Sequence, residues 1–97
     1  MSRFMEYNAT GRLSTHQSIA YTSAAGTISS AVGAHTFGVR VVATTAAYIK
    51  ISQSPTATTS DVYLPADKPE NFVITPGEKV SAVRVTSSGT LHVTEIV

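Results

Sequence analysis

The chain contains neither cysteine nor tryptophan among its 97 residues. Without cysteine it can form no disulfide and no thiolate metal site. A single domain of this length buries a smaller share of its surface than a larger domain does, so its own stability is modest. Because no disulfide can stabilise the fold, oligomerisation or binding to a larger assembly is the remaining way to add buried area.

The chain also has few charges. Charged residues make up 13% of the sequence, and seven basic residues against six acidic ones leave a formal net charge of +1. Nucleic-acid-binding proteins usually carry a basic stripe or patch. Here the basic residues stand singly along the chain: Arg3, Arg12, Arg40, Lys50, Lys68, Lys79 and Arg84. Nucleic acid is therefore rejected as a main partner.

Long apolar runs are missing as well. No run approaches the roughly 20 residues that a helix needs to cross a bilayer. The first six residues lack the apolar core of a secretory signal peptide. These absences predict a soluble chain that is made in the cytoplasm and has no membrane partner.

Threonine and serine are abundant instead, with 14 Thr and 12 Ser. Threonine suits the pleated surface of a sheet and can form hydrogen bonds across strands. A polar surface with few charges can also be laid against another protein at little desolvation cost. The composition therefore indicates a Thr-rich β surface, and it is compatible with a protein contact.

Residues 61–97 show the clearest pattern, in which short β-branched runs alternate with turn residues. Pro76-Gly77 suits the central positions of a type II turn, because Pro presets φ and Gly accepts a positive φ. Ser88-Gly89 is a weaker hairpin signal. This stretch is predicted to be an antiparallel meander.

The rest of the chain predicts further strands, separated by a bend at 44–45 and a polar loop over 53–60. These strands are expected over residues 13–21, 27–29, 35–43 and 46–52. The predicted fold class is therefore all-β, a small antiparallel β-sandwich or jelly-roll-like barrel of about seven or eight strands. Residues 13–97 form its single domain, and residues 1–12 form an N-terminal arm.

The arm carries three sizeable apolar side chains, Phe4, Met5 and Tyr7, among polar residues. Such side chains on a short terminal segment need something to cover them. They can fold back onto their own sheet, or they can reach a neighbouring subunit. We expect them to form part of an assembly contact.

No pattern of catalytic residues is present. His16, His35 and His92 lack the spacing of metal ligands, and there is no Gly-x-Ser-x-Gly motif or phosphate-binding loop. Both aspartates lie next to turns, where Asp has a structural role. The glutamates Glu70, Glu78 and Glu95 are expected on a solvated rim. The chain is therefore predicted to be no enzyme and to hold no metal or cofactor.

A carbohydrate-binding module is an alternative, because β-sandwiches often carry sugar sites. Such sites usually use exposed aromatic platforms, and the four tyrosines of this chain are dispersed. Tyr48 and Tyr63 would form a small platform if they share an outward face. Otherwise they cover the edges of a sheet.

Four segments of the sequence resemble small virion proteins that tailed bacteriophages encode among their structural genes. These segments are RVVATTAAYIKI (40–51), TTSDVYLPA (58–66), FVITPGEKV (72–80) and GTLHVTE (89–95). The resemblance covers residues 16–97. Its motifs mark turns and core, so it transfers no ligand-binding or catalytic residue.

The resemblance implies a structural part of a phage particle, made in the host cytoplasm and located in the virion. Small β-sandwich proteins of this kind commonly act as capsid decoration (cement) proteins at the joints between capsomers, often as dimers or trimers. Others belong to the neck or tail. The expected partners are the major capsid protein or other virion proteins, together with further copies of the chain.

Overall fold

A computed structural model describes residues 12–97 and folds them into eight β-strands. The strands are β1 (Leu13–Tyr21), β2 (Gly26–Thr27), β3 (Gly38–Ala43), β4 (Ala47–Ser52), β5 (Val62–Leu64), β6 (Glu70–Val73), β7 (Lys79–Arg84) and β8 (Gly89–Ile96). This part of the chain contains no helix. The all-β prediction is therefore confirmed.

The strands form two four-stranded antiparallel sheets. Sheet 1 has the order β1-β8-β3-β6, and sheet 2 has the order β2-β7-β4-β5. The first strand pairs with the last, the second with the seventh, the third with the sixth and the fourth with the fifth. The pairs β3–β8 and β4–β7 then complete each sheet. A long hairpin that is rolled over in this way is a jelly roll.

The predicted meander over residues 61–97 is wrong. Successive strands of this stretch lie in alternate sheets, because β5 and β7 belong to sheet 2 while β6 and β8 belong to sheet 1. The Pro76-Gly77 turn does form: Gly77 has φ of +91°, and the Glu78 amide donates to the Thr75 carbonyl at 3.0 Å. The turn leads from one sheet to the other, however, because a turn signal determines a chain reversal and not the strand partner.

The core lies between the sheets and follows the period of two along each strand. In β3 the buried positions alternate with half-exposed ones, and β8 repeats the pattern. Leu91 and Val93 are buried while His92 points to the other face. Ile49 is likewise buried between the outward-facing Tyr48 and Lys50. The core contains Tyr21, Ile28, Val32, Val39, Val41, Ala43, Ala47, Ile49, Leu64, Ile74, Val80, Ala82, Leu91 and Val93.

Tyr21 ties the end of β1 to the bend at 44–45. Its buried hydroxyl donates to the Thr45 carbonyl at 2.5 Å and accepts from the Thr45 amide at 3.2 Å. Gly89 leaves room for this contact, because a Cβ at that position would lie 2.7 Å from the Tyr21 hydroxyl oxygen. The predicted bend therefore forms, and it carries the chain from sheet 1 to sheet 2.

Glu95 corrects a second expectation, because it is buried and does not lie on a solvated rim. Its register partner is Val39, whose side chain also faces the core. One carboxylate oxygen of Glu95 accepts hydrogen bonds from the Thr36 hydroxyl and, at 3.2 Å, from the Gly33 amide. These donors satisfy one oxygen of the buried carboxylate and hold the turn before β3 against sheet 1.

Candidate protein-contact surface

Within residues 12–97, six large apolar side chains are at least half exposed, and four of them gather at one end of sheet 1. The six are Leu13, Phe37, Val62, Tyr63, Val73 and Val97. Val62 and Tyr63 lie on β5 in sheet 2. The other four belong to sheet 1 or to residues directly next to its strands. Single exposed apolar residues are ordinary on a protein surface, whereas a contiguous group marks a contact site.

The strand register aligns this group in a row. Leu13 of β1 lies opposite Ile96 of β8, Ile96 lies opposite Gly38 of β3, and Gly38 lies opposite Val73 of β6. Residues that lie directly opposite each other share a face of the sheet. The neighbouring residue Val39 is buried, so the row with Gly38 and Val73 is on the outer face. Val73 is the most exposed of the large apolar side chains, at 86%.

Phe37 and Val97 are exposed at the same end of sheet 1, beside the row, although the period of two places them on the opposite side from Gly38 and Ile96. Phe37 immediately precedes β3, and its carbonyl accepts from the Ile74 amide at 3.1 Å. Val97 follows β8 and exchanges two backbone hydrogen bonds of 2.9 Å with Arg12. We call the surface formed by Leu13, Phe37, Val73, Ile96 and Val97 the apolar end. The surface is recessed at its middle, because Gly38 has no side chain.

The next row along sheet 1 is polar, which gives the apolar end a boundary. His16 lies opposite Thr94, and Thr94 lies opposite Arg40. The His16 Nδ1 atom is 2.9 Å from the Thr94 hydroxyl oxygen. Core apolar groups rimmed by polar ones are the usual anatomy of a protein interface.

His16 also stacks on His92, with ring centroids 5.6 Å apart and an angle of 19° between the planes. Structural zinc sites take four ligands, and catalytic ones take three. Residues 12–97 contain no group of three or more His, Cys, Asp or Glu side chains that could hold a metal ion. His35 is exposed in the turn before β3, away from this pair.

Tyr48 and Tyr63 do share the outer face of sheet 2. They are register partners on β4 and β5, with ring centroids 6.0 Å apart in an edge-to-face arrangement at 67°. Tyr63 is exposed and Tyr48 is half-buried. The pair therefore presents one accessible ring, supported by the second.

The loop over residues 53–60 covers the part of this face that lies at Ser81 of β7. The Ala57 amide donates to the Ser81 hydroxyl oxygen at 3.0 Å, and the Thr27 hydroxyl donates to the Pro55 carbonyl at 3.2 Å. Ala57, Pro55 and Ser81 are all buried. Ser81 lies opposite Lys50 on the outer side of the sheet, so its burial is due to this loop.

The predicted contact residues Phe4, Met5 and Tyr7 lie outside the described residues, so their role stays a prediction. Sequence reasoning missed the apolar end. Part of the signal was present, because Phe72 and Ile74 face the core and the period of two turns Val73 outward. The alignment of Val73 with the other side chains required the register.

Comparison with family models, with curated proteins and with solved structures finds no match to this chain. The resemblance to phage virion proteins therefore stays an expectation that rests on its sequence motifs. Within residues 12–97, no helix is present that could cross a membrane.

Proposed function

We propose that this protein is a non-enzymatic structural component of a tailed-bacteriophage particle, of the capsid decoration type. It binds the outside of the assembled shell and stabilises it. The observation that carries the proposal is the apolar end, where Leu13, Phe37 and Val73 are exposed at one end of sheet 1 of a jelly roll. Jelly rolls occur in viral capsid domains and in lectins, so the fold by itself is an analogy.

The apolar end supplies a reason for binding. Burying an exposed Val, Leu or Phe side chain fully contributes about 1.5–3 kcal/mol. Three or four such side chains can therefore offset part of the entropy lost on association. The chain as a whole is rich in Thr and Ser and has few charges, which limits the charge that a contact would desolvate.

Stabilisation of the shell follows from thermodynamic linkage between binding and assembly. A protein that binds the assembled shell and not its separated subunits stabilises the shell by about 2.7 kcal/mol for each site when its free concentration is 100 times Kd. A unit that contacts two or more capsid subunits acts as a clamp, because separating those subunits also breaks its contacts. No catalytic group is needed for this mechanism.

Co-sedimentation with purified heads of the encoding phage, together with the thermal midpoint of shell disruption, tests the proposal. Adding the protein is expected to raise that midpoint. Val73→Lys places a charge in the apolar end, so we expect it to weaken sedimentation with heads at least tenfold. Val62→Lys is the matched control, because it changes an exposed valine on an edge strand of the other sheet. Equal binding by both variants would remove the apolar end from the mechanism.

The N-terminal arm can be tested in the same assay. Deletion of residues 2–8 removes Phe4, Met5 and Tyr7, and it is expected to abolish binding to heads while the β-sheet circular dichroism spectrum is retained. A neck or tail component would bind purified tails or connector-bearing heads instead of bare shells. Binding confined to tails would replace the decoration role by that one.

The Tyr48–Tyr63 pair favours a second candidate function, carbohydrate binding. The exposed Tyr63 ring can stack on the apolar face of a sugar, with Tyr48 holding it in place. A glycan array with the whole protein would then show saturable binding that is lost in Tyr63→Ala and kept in Tyr63→Phe. An array without signal would rule this candidate out.

A further inference from the structure

We propose that His16 and His92 together bind a divalent transition-metal ion, Zn²⁺ or Cu²⁺, on the outer face of sheet 1. The two histidines are far apart in the sequence, so their spacing alone predicts no metal site. Strand pairing brings them onto neighbouring strands. The site lies beside the apolar end and shares no residue with it, so the inference does not depend on the proposed function.

The strand register places the two side chains diagonally across β1 and β8. His16 lies opposite Thr94, and His92 is two residues before Thr94 on the same strand. Residues two apart on a strand share a face, and diagonal neighbours on antiparallel strands lie within reach of long side chains. Both imidazoles therefore stand on one face, and their ring centroids are 5.6 Å apart.

This separation suits two rings that share one metal ion. Zinc–nitrogen bonds of about 2.0–2.1 Å put the centres of two such rings within about 6 Å of each other. The rings are stacked, with 19° between their planes, so one of them has to turn to direct its nitrogen at the ion. The torsion about the Cβ–Cγ bond is broad in histidine, and neither ring is buried. Binding therefore requires a side-chain rotation and no movement of the strands.

Thr94 supports His16 as a ligand. The Nδ1 atom of His16 is 2.9 Å from the Thr94 hydroxyl oxygen. When Nδ1–H donates to that oxygen, the lone pair of the ring is on Nε2, which is the atom left for a metal. Metal-binding histidines usually make such a hydrogen bond through their second ring nitrogen. Thr94 is therefore a positioning residue in the proposed site.

The type of ligand selects the class of ion. Imidazole nitrogen binds Zn²⁺ and Cu²⁺, whereas Mg²⁺ and Ca²⁺ prefer oxygen ligands. Two protein ligands are fewer than a structural or a catalytic zinc site has. Water therefore takes the remaining positions, and the bound ion is exchangeable.

Arg40 is the charged residue that faces the pair from the next strand. It lies opposite Thr94 on β3, where it is a diagonal neighbour of His92. Its positive charge repels a cation, but its side chain is half-exposed, so that the charged group can extend into solvent and salt screens it. Arg40 therefore lowers the affinity of the site without blocking it.

Calorimetric titration of the untagged chain with zinc chloride tests the site. One Zn²⁺ ion is expected to bind per chain, and His16→Gln and His92→Gln are each expected to weaken binding by about tenfold or more. His35→Gln is the matched control, because it removes the third histidine, which is exposed in the turn before β3. Absence of saturable binding to the unaltered chain would overturn the proposal, and so would equal binding by His35→Gln and His16→Gln.

The neighbours of the pair provide two variants with opposite expected effects. Thr94→Val removes the hydroxyl that orients His16, so it is expected to weaken zinc binding about tenfold. Arg40→Gln removes a positive charge beside the site, so it is expected to strengthen binding, which a misfolded variant could not do. An affinity that changes in neither variant would place the ion elsewhere on the chain and overturn the assignment.

NMR of the unaltered chain locates the ion without any substitution. Zn²⁺ is expected to shift the ring signals of His16 and His92 and to leave those of His35 in place, whereas Mg²⁺ at the same concentration is expected to shift none of them. Zn²⁺ should also raise the thermal midpoint of unfolding, because it binds two strands that unfolding separates. Shifts confined to His35 would overturn the assignment.

Discussion

The outer faces of the two sheets differ in what covers them. On sheet 2, the loop over residues 53–60 packs back over β7, and the hydroxyl oxygen of Ser81 accepts a hydrogen bond from the Ala57 amide. On sheet 1, no comparable loop covers the row from Leu13 to Val73 within residues 12–97. Within residues 12–97 the chain therefore covers part of the outer face of sheet 2 with its own loop and leaves the row on sheet 1 uncovered. In the proposed function, the row on sheet 1 is the side that meets the shell.

The largest expected loss of stability comes from placing a charge at a buried position of the loop over residues 53–60, which packs on sheet 2. Ala57→Asp buries a carboxylate at a position that is 4% exposed, which should lower the free energy of unfolding by about 3 kcal/mol or more. Val73→Asp, the same charge on sheet 1, should change it by less than about 0.5 kcal/mol. Urea unfolding of both variants provides the measurement. The unfolding should be followed at a protein concentration that keeps the chain monomeric, so that loss of association is not counted.

A similar loss of stability at both positions would show that the outer face of sheet 1 is covered as well. Equal tolerance of both charges would show that the loop does not pack on sheet 2. Either result would remove the contrast between the two faces.

A smaller effect is expected from removing the acceptor that holds the loop. Ser81→Ala leaves the buried Ala57 amide without its partner, which should lower the free energy of unfolding by about 1–3 kcal/mol. In Ser81→Ala, the hydrogen of the Ala57 amide should also exchange with solvent faster than it does in the unaltered chain. The amides of the β4–β7 ladder serve as the internal reference. Ser81→Thr keeps a hydroxyl and serves as the control. An unchanged exchange rate in Ser81→Ala would show that the hydrogen bond does not hold the loop.

The smallest effect on stability is expected at the apolar end itself. Val73→Lys and Val62→Lys should each change the free energy of unfolding of the monomer by less than about 0.5 kcal/mol, because both side chains are exposed. The two variants should then differ only in association and in binding to heads. A large loss of stability in Val73→Lys alone would mean that Val73 serves the fold and is not free for a partner.

Much of the local structure could be predicted from the sequence. The alternation in residues 46–52 puts Ile49 and Tyr48 on opposite faces, and the stereochemistry of Pro76-Gly77 predicts the turn. The burial of Glu95 could not be predicted, because its donors Gly33 and Thr36 come from a distant part of the chain. A glutamate between Thr94 and Ile96 looks the same in sequence whether or not such donors are present.

The candidate site was less accessible to sequence reasoning than the fold. The sequence predicts that Tyr48 and Tyr63 form a platform only if they share an outward face. The strand register shows that they do share it. The apolar end combines β1, β3, β6 and β8, which are far apart in the chain. The sequence predicts a contact at Phe4, Met5 and Tyr7 instead, because apolar residues that are close in sequence can be recognised without knowledge of the fold.

The sequence by itself determined most of the strands, the alternation of side chains along them and where the chain reverses. These properties are local, since a strand has a period of two and a turn depends on the φ angles that Pro and Gly allow. Only the tertiary structure decided which sheet each strand joins, that Glu95 is buried and that Leu13, Ile96, Gly38 and Val73 form one row. Those properties depend on register between strands that are distant in the chain, and packing of the whole core selects that register.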